Sequence, residues 1–181
     1  MRHSFAIKCG DNELRPLTEC HLEALRKWRN DHQLNKYIRP IGYITREMQT
    51  QWYEHYCERD DEIMLCVFRA GELKGAVSLY DICARDAEFG RLMIGGDGRG
   101  HGLGSFATWG CAKIAFSSLG LNELRACVTA ANVAALRIYV RLGFLIEEMR
   151  FNEDIGFDEY VIRLPKNRFE LLSGEMGFEC L

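Results

Sequence analysis

What this chain lacks narrows its class first. No apolar run approaches the roughly 20 residues that a helix needs to span a bilayer, so no membrane segment is expected. The opening residues, Met1-Arg2-His3-Ser4-Phe5, have no apolar core of the kind a signal peptide carries, and a cytoplasmic location is expected. Positive charge is not in excess: 23 Lys and Arg stand against 26 Asp and Glu, a net charge of -3. That balance argues against an electrostatic nucleic-acid binder. The eight cysteines (Cys9, Cys20, Cys57, Cys66, Cys83, Cys111, Cys127 and Cys180) include no Cys-x-x-Cys pair, and no His-x-x-x-His accompanies them. No metal site is therefore expected, and without a secretory signal no disulfide framework either. Cys66, Cys111 and Cys127 fall within apolar patterns and read as small core hydrophobes. Internal repeats and low-complexity linkers are absent from the sequence. A chain of 181 residues with 48% apolar and 27% charged side chains has the size and composition of one globular domain.

What is present is glycine in one place. Arg99-Gly100-His101-Gly102-Leu103-Gly104 follows the apolar run Leu92-Met93-Ile94 and opens a segment of helical periodicity over residues 105–118. A strand feeding a glycine-rich turn and then a helix start builds an anion site, because turn N–H groups converge and the helix dipole adds partial positive charge. The expected cargo carries a phosphate or pyrophosphate. Glycine spacing decides which. A dinucleotide fingerprint, Gly-x-Gly-x-x-Gly, fails because its last position is Leu103 when counted from Gly98 and Ser105 when counted from Gly100. A Walker loop fails because Gly104-Ser105-Phe106 replaces Gly-Lys-Ser/Thr.

The rest of the pattern alternates strands and helices. Residues 14–17 read as a short strand, with Thr18 capping a helix to about Arg29, and Thr45 caps a second helix to about Cys57. Residues 63–68 and 76–81 read as a strand pair joined through Ala70-Gly71-Glu72, and residues 88–94 as the next strand. After the glycine loop and its helix come a strand over 124–128, a helix ending at Leu142-Gly143, and strands over 144–150 and 160–164. Pro165 is expected to end the regular pattern, so that one domain occupies residues 1–165 and residues 166–181 form a C-terminal extension.

Arg99-x-x-Gly102-x-Gly104 resembles the pyrophosphate loop of the GNAT acetyltransferases. A second stretch, Asn132-Val133-Ala134-Ala135-Leu136-Arg137-Ile138-Tyr139-Val140-Arg141-Leu142-Gly143-Phe144, is similar to that family's Asn-x-x-Ala-x-x-x-Tyr-x-x-x-Gly-Phe segment, in the same order and separation. The similarity covers about residues 12–164. It implies an α/β fold with a mixed, mostly antiparallel central sheet, splayed central strands and flanking helices. It also implies acetyl-CoA as co-substrate, with the pantetheine arm filling the V-shaped gap between the strands. Leu92, Met93, Ile94, Arg99, Gly100, His101, Gly102, Leu103, Gly104, Ser105 and Asn132 are the coenzyme contacts that the resemblance implies. Arg99 reads equally as a surface charge, His101 as a bystander, and Asn132 as a simple helix cap.

Acyl transfer from a thioester to an amine needs a neutral amine, a held carbonyl, oxyanion stabilisation and a proton for the departing thiolate. A primary amine with a pKa of about 10.4 arrives protonated at neutral pH, so something must accept that proton. Glu88 stands eleven residues before Arg99, the spacing at which family members carry a catalytic glutamate, and the resemblance makes it the base, directly or through water. A solvated strand carboxylate is the alternative for Glu88. Tyr139 aligns with the family tyrosine that protonates the leaving thiolate; packing of its ring on a helix face is the alternative. A backbone N–H near Met93 is expected to hold the carbonyl oxygen.

The acceptor is expected to meet the first two helices and their loop. Leu25-Arg26-Lys27-Trp28-Arg29-Asn30-Asp31 resembles the Trp-Arg-Asn segment of members that acetylate nucleotide-linked amino sugars, which makes Trp28, Arg29 and Asn30 substrate contacts. The wider pattern is shared with ribosomal-protein N-terminal acetyltransferases. Three functions follow: acetyl transfer to a small-molecule amine, acetyl transfer to a peptide N-terminus, or a non-catalytic acyl-CoA sensor, in each case as a monomer or homodimer.

Overall fold

A computed structural model describes residues 3–34, 36–38 and 42–174. The elements run β1 (Ile7–Cys9), β2 (Asn12–Pro16), α1 (Leu22–Asn30), α2 (Arg46–Glu58), β3 (Ile63–Arg69), β4 (Glu72–Tyr80), β5 (Asp86–Ile94), α3 (Leu103–Lys113), β6 (Glu123–Thr129), α4 (Val133–Leu142), β7 (Leu145–Asn152), β8 (Phe157–Pro165) and α5 (Lys166–Ser173). Eight strands form one sheet in the order β1-β2-β3-β4-β5-β6-β8-β7. Each described pairing is antiparallel except β5 with β6. This is the mixed, mostly antiparallel sheet with flanking helices that the family resemblance implies.

Two cores follow from strand alternation, because successive side chains point to opposite faces. Leu65, Val67, Val77, Leu79, Ala87 and Phe89 join the buried cluster that holds Phe106, Ala107, Trp109 and Tyr139, on the face covered by α3, α4 and α5. Met64, Cys66, Phe68 and Ala76 join Leu22, Leu25 and Tyr56 on the face covered by α1 and α2. Helix α3 carries buried side chains on most of its circumference, as expected of a helix at the centre of a core. A π-helical turn, Ile114–Ser118, completes the predicted helical segment.

Local chemistry sets the element ends. Thr45 Oγ1 accepts the Met48 N–H at 3.2 Å, the expected cap of α2. Thr18 opens a 3-10 turn, Glu19–His21, before α1 begins, and its own N–H donates to His21 Nδ1 at 3.1 Å. The predicted stop at Pro165 is instead the start of α5. Proline has no N–H to satisfy and a pre-set φ, which suits a helix start as well as a strand end. Phe169 is buried, with its ring 5.3 Å from that of Phe116. The remainder of the expected extension, residues 175–181, lies outside the described residues.

The cysteine expectations are corrected at one residue. Cys66 and Cys111 are buried, but Cys127 is exposed, on the face opposite Leu124, Ala126 and Val128. Its neighbour there is Arg150, with Nη2 at 3.6 Å from the sulfur. The seven described cysteines are all free thiols. No helix among the described residues is long and apolar enough to cross a membrane, and no group of three or more metal-ligating side chains occurs among them.

Phe106 has no solvent exposure at the centre of this core. Phe106→Ala is expected to lower the unfolding free energy by about 3–5 kcal/mol, read from urea transitions at constant m-value.

Candidate active site

The site begins with a parting of strands. β5 and β6 pair through Asp86↔Glu123, Ala87↔Leu124 and Glu88↔Arg125, and pairing stops there. β6 stays in register with β8 along its whole length, from Glu123↔Pro165 to Thr129↔Glu159. β5 stays with β4 but contains one extra residue between Gly90 and Met93, which face Ser78 and Ala76. At this bulge Arg91 has φ +51°, a left-handed conformation that costs a non-glycine residue about 1–2 kcal/mol. The bulge bends β5 away from β6 and opens a wedge beside Glu88.

The glycine loop lies at the end of that wedge. Gly100 and Gly102 have φ of +82° and +74°, and a Cβ built on either would meet nothing within 4 Å. Glycine serves here for its backbone angles and for open space in front of the loop. Gly102 is the N-cap of α3 and supplies no side-chain acceptor to the first-turn amides, so those N–H groups remain for an anion. Gly104 has a different reason, since its Cβ would lie 3.0 Å from Ile138 Cδ1 on α4. His101 is exposed and Ser105 half-buried, while the Leu103 side chain is in the core, leaving only its main chain to reach a ligand. The cradle has the features of an anion site: glycines with outward space, uncapped amides and a helix N-terminus occur together.

Glu88 and Tyr139 flank the wedge from opposite faces. Glu88 pairs with Tyr80, whereas its neighbour Phe89 pairs with Leu79 and faces the other core. The Phe89 ring meets Tyr139 edge-on at 5.7 Å, and Phe144 lies 5.4 Å from the same tyrosine. Glu88 is half-buried; burial raises its pKa, Arg125 at 3.5 Å draws it down, and Asp81 and Asp86 push it up again. The net direction is upward, toward the range of a general base. Burial also raises the Tyr139 phenol, which keeps its proton at neutral pH.

Asn132 caps α4, its Oδ1 accepting the Ala135 N–H at 3.2 Å. Leu92 and Ile94 are half-buried and Met93 buried along the upper half of β5. The expected acceptor residues separate in role. Asn30 is committed to its own loop, donating through Nδ2 to the Ile44 carbonyl and accepting the Ile44 N–H, both at 2.9 Å. Trp28 packs against Gly95, where a Cβ would come within 2.9 Å of its Nε1. Arg29 is half-buried close enough to Arg91 for the two charges to oppose each other.

The loop after α1 bridges both sides of the wedge. Arg99 donates to the Gln33 carbonyl at 3.4 Å, and Thr129 Oγ1 donates to the Tyr37 carbonyl at 3.3 Å. Beneath it is a cavity of about 280 Å³ lined by His32, Lys36, Tyr37, Ile38, Thr129, Ile155 and Phe157. None of these positions was legible in the sequence, because the contacts join segments up to 92 residues apart.

Comparison with known proteins adds a family. Residues 13–145 match the model of the acetyltransferase (GNAT) domain. Acetyltransferase PseH of Campylobacter jejuni is 26% identical over 141 residues, 78% of this chain and 85% of that protein. Spermidine N(1)-acetyltransferase of Escherichia coli is 28% identical over 137 residues, 75% of this chain and 73% of that protein. Among solved structures, the spermidine N-acetyltransferase of Vibrio cholerae in complex with CoA and spermine superposes with a TM-score of 0.82 at 20% identity, covering 88% of this chain and 98% of that one.

Gly102→Val is expected to fold with a modest loss of stability and to lose coenzyme A binding by calorimetry. Retained affinity would remove the loop from the site. Glu88 gives a pH signature. A carboxyl with a raised folded pKa binds its proton more tightly folded than unfolded, so its contribution to stability falls as pH rises through that pKa. Glu88→Gln should therefore raise Tm at pH 7, with the gain shrinking toward zero near pH 4. A gain that grows on acidification would contradict burial as the dominant cause.

Proposed function

The chain belongs to the GNAT acetyltransferases, and on that premise we propose that it acetylates the primary amine of a small molecule, a nucleotide-linked amino sugar being the first candidate. The observation that carries this reading is the wedge between β5 and β6, with a carboxylate on one face, a buried tyrosine on the other and an anion cradle at its end. Acetyl-CoA supplies the activated acetyl group. Gly100, Gly102 and the first-turn amides of α3 hold its phosphates, aided by Arg99. Leu92, Met93 and Ile94 line the gap beside its pantetheine arm, and Asn132 marks the far wall.

Within that frame, Glu88 takes the proton of the incoming ammonium, directly or through one water. The main-chain N–H near Met93 donates to the carbonyl oxygen as negative charge builds there. Tyr139, still protonated at neutral pH, gives its proton to the departing thiolate. Trp28 and Arg29 stand on the acceptor side of β5. A small acceptor is favoured over a peptide by the cavity under the α1–α2 loop, whose lining includes His32, Lys36 and two aromatic rings but, among the described residues, no carboxylate. A wide acidic cleft would suit a basic peptide or a polyamine better. Retention of both Glu88 and Tyr139 supports catalysis over a sensor role.

The test is thiol release from acetyl-CoA with nucleotide-linked amino sugars, free amino sugars, polyamines, amino acids and basic peptides. Turnover is expected with an amino-sugar acceptor; turnover confined to peptides would replace this reading. Tyr139→Phe and Glu88→Gln should each lower kcat by about 10²–10⁴-fold with little change in coenzyme A affinity. The Glu88→Gln loss should partly recover at high pH, where the free amine is available without a base. A parent-like pH profile in that variant would place the base elsewhere.

A further inference from the structure

Glu62 and Glu159 are the two buried carboxylates among the described residues. Glu159 has Arg150 beside it, far along β8. Glu62 lies on the approach to β3 with 1% exposure, and its partner is Arg91. Arg59 Nη1 stands 3.7 Å from the second carboxylate oxygen of Glu62 and is itself held by Asp61. Arg91 is the left-handed residue of the β5 bulge. Its guanidinium also lies 4.6 Å above the ring of Tyr80, which pairs with Glu88 across the strands. The Tyr80 ring in turn closes on Gly90, where a Cβ would sit 3.1 Å away.

Two unfavourable features thus meet at one point. A carboxylate as buried as Glu62 is costly, and its partner Arg91 is itself exposed, so the pair is a poor source of stability. A left-handed arginine is strained where glycine would not be. Their meeting inside the strand that borders the wedge has one economical explanation. We propose that Glu62 is a positioning residue for acetyl transfer: by gripping Arg91 it fixes the bulge, and with it the main-chain N–H near Met93 that is to hold the thioester carbonyl. The inference rests on the acetyl-transfer reading of this site. Glu62 touches neither substrate; it acts through Arg91 and the main chain.

Glu62→Gln, Arg91→Gly and the double variant test this in the full chain, with thiol release from acetyl-CoA and the best amine acceptor, and with coenzyme A affinity by calorimetry. Glycine adopts the bulge angle without strain, so Arg91→Gly removes the grip and keeps the conformation accessible. The double variant removes both charges and so avoids leaving one buried alone. At a temperature where melting curves show each protein folded, Glu62→Gln is expected to lower kcat by about 10–100-fold, the scale of a misplaced reacting group. Coenzyme A affinity and the acceptor KM should stay within about threefold. The double variant should be no slower than the slower single variant, since both remove one linkage. Parent-like kcat in Glu62→Gln or in the folded double variant, additive losses, or an effect confined to KM would each overturn the inference while leaving acetyl transfer intact. An inactive parent would overturn the acetyl-transfer reading and this inference with it.

Discussion

A strand can keep two neighbours only while all three follow the same twist, and β5 gives one of them up. Up to Glu88 it is an inner strand with partners on both sides; beyond it, β5 follows β4 and β6 follows β8. Main-chain polar groups on the separating edges are left without a ladder. Such a gap accepts a ligand that brings its own donors and acceptors, as an amide-bearing arm does. The glycine cradle follows β5 in the chain, one 3-10 turn, Gly96–Gly98, beyond its end. The loss of the β6 partner after Glu88 and the single inserted residue in β5 thus lie within a few residues of each other.

The same geometry separates the two protonic groups. Adjacent residues of a strand face opposite ways, so Glu88 looks toward the α1–α2 side while Phe89 carries Tyr139 on the other. An amine approaching from one face and a sulfur leaving past the other would each meet a different group. Burial then acts oppositely on their functions. It makes the carboxylate a better proton acceptor and the phenol a firmer holder of its proton, without any change of residue type.

Periodicity and turn chemistry carried most of the fold. The 3.6-residue pattern after Gly102 and the strand-like runs around Leu65, Val77 and Val128 are local signals, and they appear where the elements are. β1 was missed because Ile7–Cys9 is too short to show alternation. Helix α5 was missed because Pro165 reads as a stop when it is a start. Cys127 was misread because an apolar run does not say which face is covered. In the candidate site, the loop, Glu88 and Tyr139 were legible because they belong to spaced patterns. Asn30 fell in such a pattern too, yet its amide is spent on Ile44. The cavity lining and the Glu62–Arg91 pair were not legible at all, since each joins segments that only the folded topology brings together.

The loop after α1 is held mainly by its backbone. It is fastened through the main-chain carbonyls of Gln33, Tyr37 and Ile44, through the Ile44 N–H, and through the Tyr43 phenol, which accepts from Arg26. A carbonyl is the same whatever side chain its residue bears. The side chains of Gln33, Tyr37 and Ile44 can therefore change while these main-chain fastenings persist. What faces the cavity beneath the loop is thereby uncoupled, at Tyr37, from the course the loop takes.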